Sequence, residues 1–250
     1  MNVLRIAVVY PELLGTYGDG GNALVLERRL AWRGMDVEMV EVLLGTPVPE
    51  QCDLYVIGGG EDSAQLQALA ELRRGTGLQS AVGRGTPVLA VCAGLQILGA
   101  SLTDREGTVH AGLDLVDATT TRLDRRAVGE VVARPRAELG LPTLLGFENH
   151  SGATRLGPAA LPLAAVAQGV GNGDGGESRA EGLVQGSVIA TYLHGPVLAR
   201  NPALADLLLS RACGQALSDL ADPHEAAARA AMQSRLSRGR RRTVSTAPLS

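Results

Sequence analysis

A chain of 250 residues and 25.9 kDa, 45% apolar and 20% charged, has the size and composition of one globular α/β domain or two small ones, which excludes a mainly disordered protein. All 23 basic residues are arginines, so Schiff-base lysine chemistry and a phosphate-binding loop that needs lysine are excluded. The net charge of −3 argues against general binding of nucleic acid, which usually requires a basic face.

The first half of the chain alternates strand and helix patterns. Residues 4–10 form a nearly continuous apolar run of strand length, and a glycine-rich loop separates it from helical spacing over residues 23–32. Further strand patterns occupy 37–43, 53–57 and 87–91, and further helical patterns occupy 63–72 and 94–100. This alternation predicts right-handed βαβ units on a mostly parallel sheet flanked by helices, an α/β fold of the flavodoxin-like type.

The second half of the chain has a different pattern. Short β-like runs separated by turn residues occupy 113–121, 127–133, 143–147 and 183–192. They predict antiparallel additions to the sheet. No internal repeat or linker divides the chain, so we predict one domain over residues 1–236, followed by a disordered basic tail over residues 237–250.

The sequence also predicts where the protein is located. No stretch approaches 18 apolar residues, and the N-terminal apolar run is too short for a secretory signal. The three cysteines, Cys52, Cys92 and Cys213, are odd in number and widely spaced, which fits neither a disulfide framework nor a zinc site. We therefore expect a cytoplasmic protein with no transmembrane segment and no metal site.

A buried strand leads directly into a cysteine in the segment Val88-Leu-Ala-Val-Cys92-Ala-Gly-Leu-Gln96. The small residues Ala93 and Gly94 permit a tight strand-to-helix turn, which is the geometry of a nucleophile elbow. Such a turn presents the thiol at the edge of the sheet, and the N-terminus of the following helix stabilises a thiolate there. Cys92 is therefore the candidate nucleophile, whereas Cys52 and Cys213 lack this context and are interpreted as structural.

A thiolate nucleophile needs a histidine to activate it and to protonate the leaving group. His194 ends the apolar run 188–193, and the carboxyl end of a buried strand faces the crevice where α/β sheets bind ligands. His150, in a loop after a β-like run, remains an alternative. His110 and His224 have polar surroundings and are interpreted as surface residues.

The run Gly58-Gly-Gly60 ends the predicted third strand, at the same edge of the sheet as Cys92. Glycines there allow backbone N–H groups to approach a reacting carbonyl, and the N–H after the nucleophile is a second candidate donor. These features predict acyl transfer from an amide or ester to Cys92, followed by hydrolysis of the thioester.

The combination of these motifs resembles a known family. Cys92-Ala-Gly-Leu-Gln96, the glycine run before it and a late strand that ends in histidine resemble the class I glutamine amidotransferases. Tyr192-Leu-His-Gly-Pro196 is similar to the cobyric acid synthase branch. Thr16-Tyr-Gly-Asp-Gly-Gly-Asn22, Gly146-Phe-Glu-Asn-His150 and His194-Gly-Pro…Asn201-Pro202 are more similar to the glutaminase subunits of lipid II isoglutaminyl synthases.

The resemblance, which covers about residues 3–213, implies a class I glutamine amidotransferase fold and hydrolysis of L-glutamine. It implies that ammonia is delivered to a Mur-ligase-like synthetase subunit in a heterodimer. That partner would bind ATP and Mg²⁺ and amidate the D-glutamate of the lipid II stem peptide, so no cofactor is expected on this chain. The chain would then lie in the cytoplasm, or at the inner face of the membrane through its partner.

The resemblance also implies roles for individual residues. Cys92 would be the nucleophile and His194 the base, with the N–H groups of Gly60 and Ala93 as the oxyanion donors. The residues implied in substrate binding are Gly59, Gln96 and Arg126. A guanidinium can bind the α-carboxylate of glutamine in a bidentate manner. The alternative for Arg126 is that it is one surface arginine among Arg122, Arg125 and Arg126.

Two positions depart from the family pattern. Ala90 stands two residues before the nucleophile, where glycine is frequent, and Pro196 stands where an acid would follow His194. A third, orienting acid must then come from elsewhere, with Glu148 and Asp19 as candidates, or the site is a Cys–His dyad. Asp19 could instead cap the helix that follows it.

Three other functions remain open at this point. The chain could be the amidotransferase part of a corrinoid pathway, or a regulatory or binding subunit that has the elbow without turnover. A peptidase or other hydrolase of the same elbow type is the third alternative, but it does not require Gln96 or the paired motifs.

Overall fold

The computed structural model describes residues 3–173, 179–220, 225–232 and 234. The chain divides into two units, residues 1–217 and 218–250, and residues 225–232 of the second unit are helical. The predicted boundary at residue 236 stays a prediction, and the predicted tail at 237–250 lies outside the described residues. Among the helices of the described ranges, none has both the length and the apolar character needed to cross a bilayer.

The first half of the chain builds an alternating α/β layer. Its strands are β1 (Leu4–Val9), β2 (Val37–Val42), β3 (Leu54–Ile57) and β4 (Val88–Val91). Its α-helices are α1 (Pro11–Leu14), α2 (Gly20–Ala31), α3 (Asp62–Leu72), α4 (Gly77–Gly83) and α5 (Ala93–Leu98), and a 3₁₀ turn covers Thr16–Gly18. All residues of β3 and β4 are buried, as the continuous apolar runs predict for strands with both faces covered.

Strands from both halves of the chain form the first sheet. With β11 (Leu183–Gln185) and β12 (Val188–Thr191), the strand order is β11-β12-β4-β3-β1-β2. All neighbours are parallel except β11 and β12, so β11 is one of the expected antiparallel additions. In the centre, Ala90 of β4 pairs with Ile57 of β3 and with Ala190 of β12. The carboxyl ends of these three strands therefore lie side by side, directly before the glycine run, Cys92 and His194.

Most of the other strands of the second half form a separate sheet rather than extending the first. They are β5 (Ser101–Thr103), β6 (Val109–Ala111), β7 (Ala118–Pro135), β8 (Leu144–Leu156), β9 (Ala164–Gln168) and β10 (Ala180–Glu181). Its order is β10-β9-β7-β5-β6, with β8 paired to β7, and only β5 and β7 are parallel. Along β8 buried and partly exposed residues alternate, a pattern typical of an antiparallel sheet with one covered face.

The long β7–β8 hairpin touches the catalytic edge of the first sheet. The backbone N–H of His194 donates to the carbonyl of Phe147 at 2.8 Å, and these two residues form an isolated antiparallel bridge. Nearby, the buried side chain of Asn201 bonds both the N–H of Leu145, at 2.9 Å, and its carbonyl, at 2.7 Å. These contacts fix the hairpin against the segment that follows β12.

A buried ion pair joins two helices behind the sheet. Helices α6 (Val197–Arg200) and α7 (Pro202–Cys213) follow β12. Arg29 of α2 binds Asp206 of α7 through two parallel contacts, Nε to Oδ1 at 2.8 Å and Nη2 to Oδ2 at 2.6 Å. Arg33 adds a third contact to the same carboxylate at 2.9 Å. This bidentate geometry is strong and directional, so it sets the packing of α7 on α2.

Candidate active site

Cys92 occupies a strained turn between β4 and α5. Its φ of 51° and ψ of −103° lie in a region that residues other than glycine rarely adopt. Its own N–H donates to the carbonyl of Thr191 at 2.8 Å, which fixes the turn against β12. A Cβ at Gly94 would lie 2.8 Å from the carbonyl oxygen of Ile57, so only glycine allows α5 to start this close to β3. This is the nucleophile-elbow geometry that the sequence predicts.

His194 lies beside Cys92 at the end of β12. The imidazole is 1% exposed, and its Cε1 and the Cβ of Cys92 both lie against Gly59, at 3.0 and 3.3 Å from a Cβ built there. Its backbone pairing with Phe147 holds the ring at this edge of the sheet. The structure thus brings the two residues together, although their catalytic roles remain a prediction.

Asp19 provides the carboxylate that contacts His194. The Nδ1 atom of His194 lies 3.1 Å from both carboxylate oxygens of Asp19, and Oδ2 also accepts the N–H of Gly59 at 2.9 Å. Although Asp19 directly precedes α2, its side chain makes no capping bond; the N–H of Asn22 is bonded by the Asp19 backbone carbonyl instead. The interpretation of Asp19 as a capping side chain is therefore wrong. Cys92, His194 and Asp19 are arranged as a triad.

Glu148, the other acid considered, contacts different groups. Its carboxylate oxygens accept the N–H groups of Val170 and Gly171, each with a shortest distance of 2.8 Å. Its Oε2 lies 3.9 Å from Nε2 of His150. Glu148 therefore fastens the segment after β9 to β8, and the structure does not join it to His194.

The alternative base, His150, is held in a structural stack. Its ring lies on that of Tyr192 with centroids 3.8 Å apart and an interplanar angle of 19°. Its Nδ1 donates to the carbonyl of Gly152 at 3.0 Å. His110 is bound to Asp104 at 2.7 Å, and His224 lies outside the described residues.

The surroundings of His194 favour its charged form. Burial opposes a positive charge, but the hydrogen bond with Asp19 and the interaction with Cys92 outweigh burial and raise the pKa of His194 to about 10. The ring is therefore an imidazolium at neutral pH, next to the sulfur of Cys92. A charged His194 can give its proton to a leaving amine, which is the role that amide cleavage requires.

The proposed oxyanion donors also lie at this edge. Ala93 is the first residue of α5, so its N–H has no partner within the helix. Among the described residues, neither this N–H nor that of Gly60 is bonded to another protein atom. Ala93 follows Cys92 along the chain, and Gly60 comes three residues after the end of β3 and lines the same cavity as Cys92. These two N–H groups are available to an oxygen that gains negative charge.

Gly59 is where the triad residues meet. A Cβ built on Gly59 would lie 2.9 Å from Oδ2 of Asp19, 3.0 Å from Cε1 of His194 and 3.3 Å from Cβ of Cys92. Because the three side chains close around this backbone, residue 59 cannot carry a side chain without displacing them. The role of Gly59 is therefore to allow this approach and to hold Asp19 through its N–H. Whether it also touches substrate, as the resemblance implies, stays a prediction.

A cavity of about 400 Å³ opens above Cys92. Its lining includes Gly60, Gln65 and Gln96, and also the more exposed side chains of Glu61 and Arg126. This volume is in the range of small-molecule sites.

Gln96 belongs to a chain of buried hydrogen bonds beneath that cavity. Its Oε1 accepts from Nε2 of Gln65 at 2.7 Å, and its Nε2 donates to the Tyr192 hydroxyl at 3.1 Å. The hydroxyl continues to Thr154 at 2.6 Å, and Thr154 to Thr120 at 2.8 Å. Burial raises the pKa of Tyr192, so the phenol stays protonated. Gln65 and Tyr192 were not predicted as site residues, since only the fold places them under Gln96.

Arg126 projects from an irregularity in the long hairpin. The β7–β8 register shifts between Arg122 and Ala127, and such bulges redirect side chains. The Nε of Arg126 donates to Oδ1 of Asn149 at 2.7 Å, and its Nη2 lies 3.6 Å from Glu61. Arg126 thus lines the cavity, and its side chain is 44% exposed. Its binding of the substrate carboxylate stays a prediction.

Comparison with known proteins agrees with this geometry. Residues 5–202 match the model of the CobB/CobQ-like glutamine amidotransferase domain. The chain belongs to this family. It is 35% identical over 215 residues to subunit GatD of the glutamine-hydrolyzing lipid II isoglutaminyl synthase of Staphylococcus aureus, covering 85% of this chain and 86% of the relative. The GatD subunit of Streptococcus pneumoniae is 33% identical over 84% of this chain and 80% of the relative. Cobyric acid synthase of Cereibacter sphaeroides is 33% identical over 75% of this chain, but that match covers only 37% of the relative.

Solved structures confirm the predicted fold class. The glutaminase domain of Trypanosoma brucei CTPS with bound acivicin superposes with a TM-score of 0.56 at 14% identity, covering 86% of this chain and 96% of that domain. A glutamine amidotransferase from Thermotoga maritima gives a TM-score of 0.51 at 16% identity, covering 86% and 83%. At such low identity these likenesses concern the fold alone, and they establish the class I glutamine amidotransferase fold.

Proposed function

We propose that this chain is the glutaminase subunit of a glutamine-dependent amidotransferase of the lipid II isoglutaminyl synthase type. The observation that carries this proposal is the triad geometry: the Asp19 carboxylate lies 3.1 Å from Nδ1 of His194, and His194 and Cys92 meet at Gly59 in an amidotransferase fold. The similarity to two GatD subunits over most of their length supports the choice of substrate and pathway.

In the first half of the reaction, the side-chain amide of L-glutamine enters the cavity above Cys92. With its proton already on His194, the sulfur of Cys92 attacks the amide carbon as a thiolate, and the carbonyl oxygen becomes an oxyanion that accepts hydrogen bonds from the N–H groups of Gly60 and Ala93. The C–N bond then breaks as His194 gives its proton to the departing nitrogen, which leaves as ammonia. Cys92 is left as a thioester of the glutamate side chain.

In the second half, water hydrolyses the thioester. His194, now neutral, takes a proton from the water as the oxygen attacks the thioester carbon. The same two N–H groups stabilise the second oxyanion, and the C–S bond breaks to release glutamate and a thiolate. Asp19 stays ionised throughout: it holds the ring by Nδ1 and stabilises its positive charge.

The rest of the substrate is held by the cavity. Arg126 binds the α-carboxylate of glutamine, because a guanidinium can present two parallel N–H donors. Gln96 is a wall residue whose amide is fixed by Gln65 and Tyr192, so it offers a rigid surface to the substrate side chain. Gly59 leaves room for both the triad and the substrate.

The ammonia is delivered to a second subunit, a Mur-ligase-like synthetase that forms a heterodimer with this chain. The synthetase supplies the site for ATP and Mg²⁺, in keeping with a chain without lysine, and amidates the D-glutamate of the lipid II stem peptide. The heterodimer works in the cytoplasm and meets the membrane through that subunit and its lipid-linked substrate.

The corrinoid alternative has weaker support. The cobyric acid synthase relative is matched over 37% of its length, whereas the GatD relatives are matched over 86% and 80% of theirs. A silent binding subunit is disfavoured because binding alone would not require a carboxylate, a histidine and a cysteine arranged as a triad.

The test is ammonia release from glutamine, measured for this chain alone and together with an ATP-binding Mur-ligase-like subunit. Cys92→Ala should abolish release, whereas Cys52→Ala, which removes another buried thiol, should retain it. Retained glutaminase activity in Cys92→Ala would contradict the assignment of Cys92 as the nucleophile. If this chain hydrolyses glutamine but does not associate with a Mur-ligase-like subunit, the proposed glutaminase activity stands and the proposed partner is refuted.

A further inference from the structure

The backbone between β12 and His194 leaves the sheet. Pairing of β12 with β4 ends at Thr191, three residues before His194. The next two residues, Tyr192 and Leu193, are fully buried, so their N–H groups need hydrogen-bond partners. Side chains supply these partners. Oε1 of Glu181 accepts the N–H of Tyr192 at 2.8 Å, and Oγ1 of Thr191 accepts the next N–H at 3.0 Å. The path of the chain into His194 therefore depends on two side chains.

A single carboxylate oxygen of Glu181 controls both bonds. The same Oε1 also accepts the hydroxyl of Thr191 at 2.8 Å. Because that hydroxyl gives its proton to Glu181, its oxygen can accept the N–H of Leu193. Glu181 thus fixes Tyr192 directly and Leu193 through Thr191.

Glu181 is itself held firmly by the second sheet. It is fully buried in β10, which pairs with β9. The next residue, Gly182, turns the chain towards β11 with a φ of 60°. The side chain of the buried residue Asn172 bonds the N–H of Gly182 at 2.7 Å and its carbonyl at 3.1 Å. The carboxyl group of Glu181 therefore approaches residues 191–193 from a rigid support.

The segment that Glu181 holds joins the two groups of the proposed chemistry. At its start, the carbonyl of Thr191 accepts the N–H of Cys92 at 2.8 Å. At its end, the N–H of His194 donates to the carbonyl of Phe147 at 2.8 Å. Glu181 supports the backbone between these two anchors. A shift of this backbone would therefore change the position of the imidazole relative to the sulfur of Cys92.

We propose that Glu181 is a positioning residue of the glutaminase: its Oε1 holds residues 191–193 in the path that sets His194 against Cys92. The inference rests on the proposed glutaminase function and adds a residue that acts through the triad without touching substrate. Glu181 lies outside the lining of the cavity, so its loss should slow the chemical step and leave the binding of glutamine unchanged. The property that this role requires is a hydrogen-bond acceptor at the position of Oε1.

The experiment compares two replacements of Glu181 that have similar length. Gln retains an oxygen that can accept both bonds, whereas Met leaves the Tyr192 N–H and the Thr191 hydroxyl without their acceptor. Ammonia release from glutamine gives kcat and KM for each variant, with the synthetase subunit present if hydrolysis requires it. We expect Glu181→Met to lower kcat by about tenfold or more, because a small displacement of a catalytic group is costly, with KM within about threefold of wild type. Glu181→Gln should keep kcat within about threefold of wild type.

Two further variants separate positioning from a general loss of stability. Thr191→Val removes the hydroxyl that links Glu181 to Leu193, and it should lower kcat by about threefold or more at unchanged KM. Because both substitutions act on the same bonds, the double variant with Glu181→Met should lose much less than the product of the two single losses. Tyr55→Phe is the matched control and should keep kcat within about threefold of wild type. It removes another buried hydroxyl, which bonds the carbonyl of Pro49 at 2.6 Å near the amino end of β3, at the opposite edge of the sheet from Cys92.

Circular dichroism checks that each variant is folded. A folded Glu181→Met with the kcat of wild type would overturn the inference, as would an equal loss of kcat in Glu181→Gln or in Tyr55→Phe. If Glu181→Met does not fold, Thr191→Val decides: a loss of kcat at unchanged KM supports the inference, and an unchanged kcat overturns it. A wild type that hydrolyses no glutamine would refute the proposed function itself, which is a separate outcome.

Discussion

His194 and Asp19 are 175 positions apart in the sequence, yet Nδ1 of the imidazole lies 3.1 Å from both oxygens of the carboxylate. This contact orients the ring towards Cys92 and favours its protonated form. The carboxylate is itself fixed by the Gly59 N–H. Asp19 therefore takes the place of the acid that usually follows His194 by two residues, a position that Pro196 occupies in this chain.

Asp19→Asn should lower the pKa of His194. In wild type the ring keeps its proton until the pH rises through about 10, and Asn removes the negative charge that helps to hold it. The imidazolium should then be lost at lower pH, and kcat should fall by about a hundredfold or more because ring orientation and charge stabilisation are both lost. An NMR titration of the His194 ring protons measures the shift, with Glu148→Gln as the control carboxylate. An unchanged titration midpoint in Asp19→Asn would contradict this account of the triad.

Gly59→Ala should inactivate the enzyme while leaving a folded protein. The added methyl would meet Asp19, His194 and Cys92 at 2.9 to 3.3 Å, so the triad must move apart. A displacement of this kind costs on the order of a hundredfold in rate. Gly20→Ala is the matched control, because nothing lies within 4 Å of a Cβ built there. Activity assays with circular dichroism check both variants, and near-normal turnover by Gly59→Ala would refute the crowding argument.

Glu181→Gln should change how stability depends on pH. Glu181 is fully buried: its Oε1 accepts the Thr191 hydroxyl and the Tyr192 N–H, both at 2.8 Å, while Oε2 has no partner among the described residues. Burial raises the pKa of Glu181 to about 7. Because the folded state binds this proton more tightly than the unfolded state, ionisation of Glu181 destabilises the fold as pH rises from the ordinary glutamate range through about 7.

Glutamine cannot ionise, so the variant escapes that penalty. The difference in unfolding free energy between Glu181→Gln and wild type should shift in favour of the variant by roughly 3 kcal/mol between acidic pH and pH about 8. Chemical denaturation at both pH values measures it. A difference that stays constant with pH would show that the Glu181 carboxyl does not titrate in this range.

Asp206→Asn should destabilise the fold more than a surface substitution of the same kind. Arg29 is 3% exposed, and removing the charge of its partner leaves a buried cation, a change that costs about 3 kcal/mol or more. Glu38→Gln, which breaks the exposed pair with Arg5, is the control and should cost much less, because solvent screens an exposed pair. Denaturation midpoints compare the two. Equal small losses would mean that Asp206 does not stabilise the packing of α2 and α7.

Sequence predicted the parts of the site that are local along the chain. The elbow at Cys92 follows from one apolar strand, one cysteine and the small residues Ala93 and Gly94 within nine positions, and the position of His194 follows from the strand before it. Relations between distant segments were left open. Asp19 was one of two candidates with a capping alternative, because nothing in its surroundings encodes the distance to His194.

The second sheet shows the same limit. The alternation of buried and exposed residues in β7 and β8 predicts antiparallel strands. The sheet to which each strand belongs depends on the strands it pairs with. The pattern of a single strand does not encode those partners. For the same reason the network of Gln65, Gln96 and Tyr192 was not foreseen. Its members lie on α3, α5 and the end of β12, and only the assembled fold brings their polar atoms within hydrogen-bond distance.

The most direct test of the proposed mechanism is the covalent intermediate. Glutamine labelled in its carbon chain is mixed with the protein, together with the synthetase subunit if turnover requires it. The reaction is quenched in acid, and the digested peptides are analysed by mass spectrometry. The mechanism predicts a glutamyl thioester on the peptide that contains Cys92, and its absence in Cys92→Ala. Ammonia release with no acyl group on Cys92, or with the label on Cys52 or Cys213, would contradict it.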